Sequence, residues 1–267
     1  MEARKKLKEC NRIVIKIGTS SLTHENGKIY YGKMENLARI LADLKNEGKE
    51  IILVSSGAIG IGSERLGWTQ KPKQTEMKQA AAAVGQGILM QIYEKFFNEY
   101  NQIVAQILLT KDVLEDSVKK NNAQNTLRQL LKMGVIPIVN ENDTVATEEI
   151  EESVFGDNDT LSAMVSVLID ADLLIILSDI DGLYTKNPRD YSDAVLIDTV
   201  DEITSEIEEL AGGKGSNFGT GGMITKICAA KIANSNGVDM VIANGEDLMN
   251  INRILEGEKV GTLFKKH

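Results

Sequence analysis

The sequence predicts an α/β protein, a three-layer α/β/α sandwich around a mostly parallel open sheet. Three observations carry that expectation. Short runs rich in Ile, Val and Leu alternate with longer segments of helical period; the short runs are mainly apolar; and polar residues collect where those runs end. Strands buried on both faces read as continuous apolar sequence, parallel strands need helical crossovers, and open α/β sheets bind ligands at the carboxyl ends of their strands.

Taken in order, a charged run from Met1 to Cys10 leads into a strand at Ile13 to Ile17. An Asn-Gly pair within His24 to Tyr31 predicts a hairpin. Helix Met34 to Glu47, strand Ile51 to Ser55, helix Met77 to Tyr100 and strand Ile103 to Leu109 follow. Helix Ala123 to Lys132 and strand Val135 to Asn140 come next, then helix Thr160 to Asp170, whose preceding Asp-Asn-Asp-Thr run supplies acceptors for the orphan N–H groups of its first turn. Strand Leu173 to Ser178 runs into a second expected hairpin, Asp179 to Thr185, marked by Asp-Gly. A helix ending near Ala211, helix Met223 to Asn234, strand Met240 to Ala243 and helix Glu246 to Leu255 complete the pattern, and Leu263 to His267 follows an expected last strand. With three prolines and no Pro/Ser linker, residues 1–267 are expected to form one domain. Its two lobes, residues 1 to about 170 and about 171 to 267, would meet near residue 170.

Composition excludes several classes of function. A chain of 267 residues with 42% hydrophobic and 26% charged residues can bury a large core. A net charge of −9 and 4% aromatic content argue against a nucleic-acid partner, so any bound phosphate must be met by local lysines. No apolar run reaches membrane-spanning length and the N-terminal run is charged rather than an export signal, so the expected location is cytoplasmic, without a membrane partner. Cys10 and Cys228 lie far apart, which suits neither a disulfide framework nor a metal-ligand pair. The two histidines, His24 and His267, sit in a polar turn and at the last position, so histidine acid–base chemistry and zinc are not expected.

The chemistry gathers at strand ends. Lys16 lies inside Ile-Val-Ile-Lys-Ile-Gly, where an interior ammonium needs an anion unless the strand is an edge, and Gly18 with three hydroxyls after it points to phosphate. Ser55 to Gly60 reads either as a strand-to-helix turn with a serine cap or as a loop whose glycines let an anionic ligand approach. Asn140 to Asp143 reads either as a polar turn or as a receptor for an ammonium group. Gly156 to Asp159 is either a helix cap or a carboxylate that orients lysines or magnesium. Gly219 to Lys226, a glycine-rich loop at a helix start, is either a linker or a phosphate grip; it is not the common phosphate loop, because no glycine precedes Lys226 and no hydroxyl follows it.

Together these segments resemble the amino acid kinase family, and within it the branch that phosphorylates the side-chain carboxylate of L-glutamate with ATP at the start of proline synthesis. The resemblance rests on Val14 to Ser20, Val54 to Ile59, Val139 to Thr144, Phe155 to Asp159, Ser178 to Thr185, and Gly219 to Met223 with Lys226, in order along nearly the whole chain. It implies that Lys16 and Lys226 contact the transferring phosphoryl group and that Asp159 holds the two lysines in register. It implies that Ser56, Gly57, Asp143 and Asn158 bind glutamate, with Asp143 the partner of the α-ammonium. Ser178 and Asp179 would lie at the nucleotide, and Gly18 would give its anion close backbone access. Thr220, Gly221, Gly222, Met223, Ile224, Thr225 and Lys226 would wrap its phosphates. ATP would bring Mg2+ held mainly by nucleotide oxygens and water, with no protein metal cage. Feedback inhibition by proline and a homo-oligomer, dimer or tetramer, are further implications, as is a short form without the C-terminal RNA-binding-like (PUA) domain that many members carry. The alternatives are a related kinase for N-acetylglutamate, aspartate, carbamate or a nucleoside monophosphate, and a non-catalytic glutamate or proline sensor. Asp143 suits a free α-ammonium, and the lysines exceed what a sensor needs.

Overall fold

A computed structural model describes residues 2–24, 26–68, 70, 72–145, 158–212 and 222–266. Its strands are β1 Arg12–Ile17, β2 Glu50–Ser55, β3 Val104–Leu109, β4 Ile136–Glu141, β5 Leu173–Ser178, β6 Thr199–Val200, β7 Asp239–Asn244 and β8 Thr262–Phe264. The helices are α1 Glu2–Lys6, α2 Thr19–Leu22, α3 Tyr31–Asn46, α4 Ala58–Arg65, α5 Thr75–Glu99, α6 Lys111–Glu115, α7 Ser117–Lys132, α8 Asn158–Leu168, α9 Ser205–Gly212, α10 Met223–Asn234 and α11 Asn250–Leu255, with a 3-10 turn at Leu7–Glu9. The expected α/β class with a mostly parallel sheet is what forms. No helix among the described residues is long and apolar enough to cross a membrane.

The chain makes two compact units, one of Ile17–Ser153 and one of Met1–Lys16 with Val154–His267. In the first, the strands are ordered β3-β4-β2 and run parallel, with Val54 opposite Val139 and Leu108 opposite Asn140. Helix α5 packs on α4, α3 and β3, and its Leu89, Tyr93 and Phe97 are fully buried. Helices α4 and α5 approach closely because two glycines allow it: a Cβ on Gly62 would lie 1.8 Å from the Ala81 carbonyl oxygen, and one on Gly85 1.8 Å from that of Ala58.

In the second unit the order is β1-β5-β7-β8-β6. Strands β5 and β7 are parallel, pairing Ser178 with Asn244 at their carboxyl ends, whereas β8 runs antiparallel to β7. Every residue of β5 is buried, as its apolar run from Leu173 to Leu177 leads one to expect. Arg4 ties the N-terminal helix to this unit. Its guanidinium donates to the carbonyls of Glu258, Val260, Asp198 and Gly261 and pairs with the Asp198 carboxylate at 3.0 Å, while the residue is 2% exposed. Burial lowers the Arg4 pKa despite Asp198.

Two expected helix starts move by four residues or more and both expected hairpins change, each for a local reason. Helix α7 starts at Ser117 rather than near Ala123, because the Asp116 carboxylate accepts from the Val118 and Lys119 amides and caps it. Helix α11 starts at Asn250 rather than Glu246, because Asn244 and Asp247 side chains take the Glu246 and Met249 amides and hold a turn there. The expected hairpin at Asp179 to Thr185 forms no paired strands; Tyr184 instead makes one antiparallel bridge with Leu196. Gly182 has no positive φ, and its glycine answers to space instead, since a Cβ there would lie 2.5 Å from the Thr262 hydroxyl. The first expected hairpin reduces to one bridge, Thr23 with Ile29, beside Gly27 at φ 78°.

Candidate active site

Strand β1 carries Lys16 one residue before its end, where the residue is 6% exposed. Helix α8 begins at Asn158 and sets Asp159, fully buried, in its first turn, where a helix N-terminus favours negative charge. Helix α10 begins at Met223 after Gly222, which offers no side-chain cap, and its first turn carries Thr225 and Lys226, both buried. Helices α8 and α10 pack together. The buried Ser162 and Ser166 hydroxyls are satisfied within α8, donating to the carbonyls of Asp159 at 2.6 Å and Ser162 at 2.7 Å.

That packing, together with the end of β1, brings three side chains to one carboxylate. Lys16 Nζ lies 2.6 Å from Asp159 Oδ1, Lys226 Nζ 3.0 Å from Oδ2, and the Thr225 hydroxyl 3.0 Å from Oδ2. Burial raises the pKa of such a group, yet the two ammonium groups outweigh it, and Asp159 is held below the ordinary carboxylate range. The anion that Lys16 required in the sequence is therefore Asp159, which leaves two lysines fixed on opposite oxygens of one carboxylate.

At the end of β5, the Ser178 hydroxyl donates to Asp179 Oδ1 at 3.2 Å, and Arg189 approaches Asp179 Oδ2 at 3.2 Å on the exposed side. The Gly245 amide bonds the Ser178 carbonyl at 2.7 Å, joining this turn to the end of β7. Asp181 accepts from Asn244 at 2.7 Å and from the Tyr184 hydroxyl at 2.8 Å, and Thr262 on β8 accepts from the Leu183 amide at 2.8 Å. Met223 and Ile224 open α10. Thr220 and Gly221, together with Gly156 and Asp157, lie outside the described residues.

The remaining expected residues, apart from Asn158 at the start of α8, belong to the unit Ile17–Ser153. The Ser56 amide donates to the Ile17 carbonyl at 3.1 Å, and Gly57 turns the chain into α4 at φ 114°, a value that favours glycine. Gly18 has φ −86°, which any residue adopts, so its glycine is not demanded by backbone conformation. The parallel register of β2 and β4 sets the Ser55-Ser56-Gly57 turn beside the end of β4. Just beyond that end lies Asp143, whose burial pushes its pKa up to about 6.

Two residues of α5 not singled out in the sequence hold these strand ends from behind. The fully buried Tyr93 hydroxyl lies 2.8 Å from Ser55 Oγ, and burial raises its pKa. Gln86, seven residues earlier on the same buried face, accepts from Asn140 Nδ2 at 2.9 Å and donates to Gln106 at 3.1 Å. In sequence both look like ordinary positions of a helix face turned to the core, and no local signal marks their polar partners.

No group of three or more His, Cys, Asp or Glu side chains among the described residues is placed to hold a metal ion. Asp159 presents both oxygens to ammonium groups, which fits a carboxylate that orients lysines better than one that ligates a cation directly.

Comparison with known proteins gives a consistent picture. The profile of the amino acid kinase family matches residues 11–244. A glutamate 5-kinase of Clostridium perfringens is 56% identical over 98% of this chain and 97% of its own length. One from Clostridium acetobutylicum is 57% identical over 99% and 98%, and one from Caldanaerobacter subterraneus is 57% identical over 95% of this chain but 67% of its own. Among solved structures, UMP kinase from Ureaplasma parvum superposes with a TM-score of 0.64 at 15% identity, over 96% of this chain and 99% of that one. An isopentenyl phosphate kinase superposes at 0.63 with 18% identity, over 96% and 100%. At these identities the two structures bear on the fold alone.

Proposed function

We infer, from the premise that this chain belongs to the amino acid kinase family and within it to the glutamate 5-kinases, that it transfers the γ-phosphoryl group of ATP to the side-chain carboxylate of L-glutamate. The products are L-glutamyl 5-phosphate and ADP, and the reaction is the first step of proline biosynthesis. The observation that carries the chemistry is the buried cluster of Lys16, Asp159 and Lys226.

The acceptor carboxylate is already a nucleophile, so the task is positioning and neutralisation rather than proton removal. Two like charges about 4 Å apart repel by roughly 4 kcal/mol at an effective dielectric near 20. Lys16 and Lys226 offset that repulsion, and they do so most strongly as charge builds on the transferring group and its bridging oxygen. Asp159 keeps both ammonium groups in place before the substrate arrives, so little reorganisation accompanies the reaction. Magnesium carried on the nucleotide's own oxygens and water supplies further neutralisation there.

Glutamate is held by Ser56, Gly57, Asn158 and Asp143, the last taking the α-ammonium. Nucleotide contacts come from Gly18, Ser178, Asp179 and the Thr220 to Lys226 segment. Direct transfer leaves no phosphorylated protein intermediate.

The test is ADP release with L-glutamate, ATP and Mg2+, with hydroxylamine trapping the acyl phosphate as a hydroxamate. An acceptor panel of N-acetylglutamate, aspartate, carbamate and nucleoside monophosphates runs beside it. Hydroxamate with L-glutamate alone is expected; preference for another acceptor overturns the assignment. Proline titrated into the same assay checks feedback inhibition, and light scattering checks for a dimer or tetramer.

A further inference from the structure

The Thr225 hydroxyl faces two oxygens that can only accept. Its Oγ1 lies 2.8 Å from the Gly222 carbonyl and 3.0 Å from Asp159 Oδ2. A hydroxyl has a single proton, so the two contacts compete for it, and donation to one leaves the other without that donor. The bond to Gly222 closes the first turn of α10 on itself. The bond to Asp159 is of another kind, because a hydroxyl donating to a buried carboxylate is charge-assisted and fixes which lone pair remains for Lys226.

Three facts favour the second bond as the consequential one. Asp159 is fully buried and Thr225 is 8% exposed, so water is a poor substitute donor. Lys226 Nζ shares the same oxygen, Oδ2, at 3.0 Å. Thr225 and Lys226 are neighbours in one helical turn, so a hydroxyl that pins the carboxylate also sets the path along which the adjacent ammonium reaches it.

We propose that Thr225 is a positioning residue for phosphoryl transfer: within the nucleotide-binding segment, its hydroxyl acts through Asp159 on the placement of Lys226 rather than on the nucleotide. This role rests on the reading of Lys16, Asp159 and Lys226 as the phosphoryl-transfer groups. The same hydroxyl sits within reach of both the Gly222 carbonyl, at the start of α10, and the carboxylate that orders both lysines.

The test compares wild type, Thr225→Val, Thr225→Ala and Thr225→Ser in steady-state assays with ATP and L-glutamate varied separately. Loss of a charge-assisted bond predicts that kcat falls about tenfold or more in the valine and alanine variants, with both KM values within about twofold. Serine is expected to restore most of the rate. Two hydroxyl-free variants are used so that the result does not hinge on how one of them packs. A double-mutant cycle adds the readout that a helix-starting role would not move: in an Asp159→Asn background, Thr225→Val is expected to cost less than about twofold. An undiminished kcat, a rise confined to the KM for ATP, or an equal loss in the Asp159→Asn background each overturns the role. A wild-type protein that phosphorylates no acceptor overturns the kinase reading itself and this role with it, an outcome distinct from active wild type with an indifferent Thr225.

Discussion

Replacing Asp143 by asparagine separates what this carboxylate costs the folded protein from what it contributes to binding. Burial raises its pKa from 3.8 to about 6. Because the folded value lies above the unfolded one, the associated stability is fully present below pH 3.8 and is lost as pH climbs through about 6. Near pH 7.5 the ionised group therefore costs about 3 kcal/mol, an upper figure because side chains and water relax around a charge. Asparagine keeps the shape and removes the charge. In urea unfolding followed from about pH 7.5 to about pH 4, the variant is expected to be more stable by up to about 3 kcal/mol at the high end, shrinking below about 1 kcal/mol at the low end. In the kinetic assay the same change is expected to raise the KM for L-glutamate about a hundredfold, since an amide gives the α-ammonium no counter-charge. The wild-type KM is expected to rise as pH falls below about 6, while the variant stays flat. A stability difference of zero near neutrality, or one that does not close on acidification, refutes the desolvation argument. A KM for glutamate unchanged by the substitution refutes the ammonium contact.

Three further changes test other parts of the structure. Lys226→Met leaves Asp159 with Lys16 at 2.6 Å but without its Oδ2 ammonium, and turnover is expected to fall about a hundredfold or more with the KM for glutamate little changed, read by steady-state kinetics. Gly85→Ala places a methyl 1.8 Å from the Ala58 carbonyl oxygen, backbone that cannot move aside, so a loss of about 3 kcal/mol or more is expected in urea unfolding, and near-normal stability would contradict the close helix approach. Arg4→Met removes the donor to four carbonyls and the partner of Asp198; a loss of about 3 kcal/mol is expected, with a lower thermal midpoint as the check.

Much of the fold was legible because its signals are local. The strand from Leu173 to Ser178 is apolar up to its last residue and is buried without interruption, and its bounds coincide with the expected ones. Helix Met223–Asn234 likewise keeps its expected limits. Boundaries shifted where a side chain outweighed periodicity: Asp116 began α7 early, and Asn244 with Asp247 delayed α11. The short helices α1, α2 and α6 leave no signal in the sequence because four or five residues are too few to show a helical period. Gly182 reads in sequence as a residue of a turn that needs a permissive backbone, whereas in the fold it answers to the nearness of Thr262, a residue far along the chain.

For the candidate site, the sequence by itself limited Lys16 to an anionic partner or an edge strand open to water, because an ammonium inside an apolar strand cannot stay unsolvated and unpartnered. It also determined which polar residues collect at strand ends, since those positions follow from where each apolar run stops. Only the tertiary structure decided the partners. Asp159 joins Lys16 and Lys226 because β1 and the starts of α8 and α10 converge on one point, and the Thr225 hydroxyl turns toward that same carboxylate. Gln86 and Tyr93 gained their roles behind β4 and β2 the same way. Propensity and periodicity act over a few residues, whereas a buried charge or hydroxyl is satisfied by whatever the packed chain brings within about 3 Å, and that choice is made only when distant segments meet.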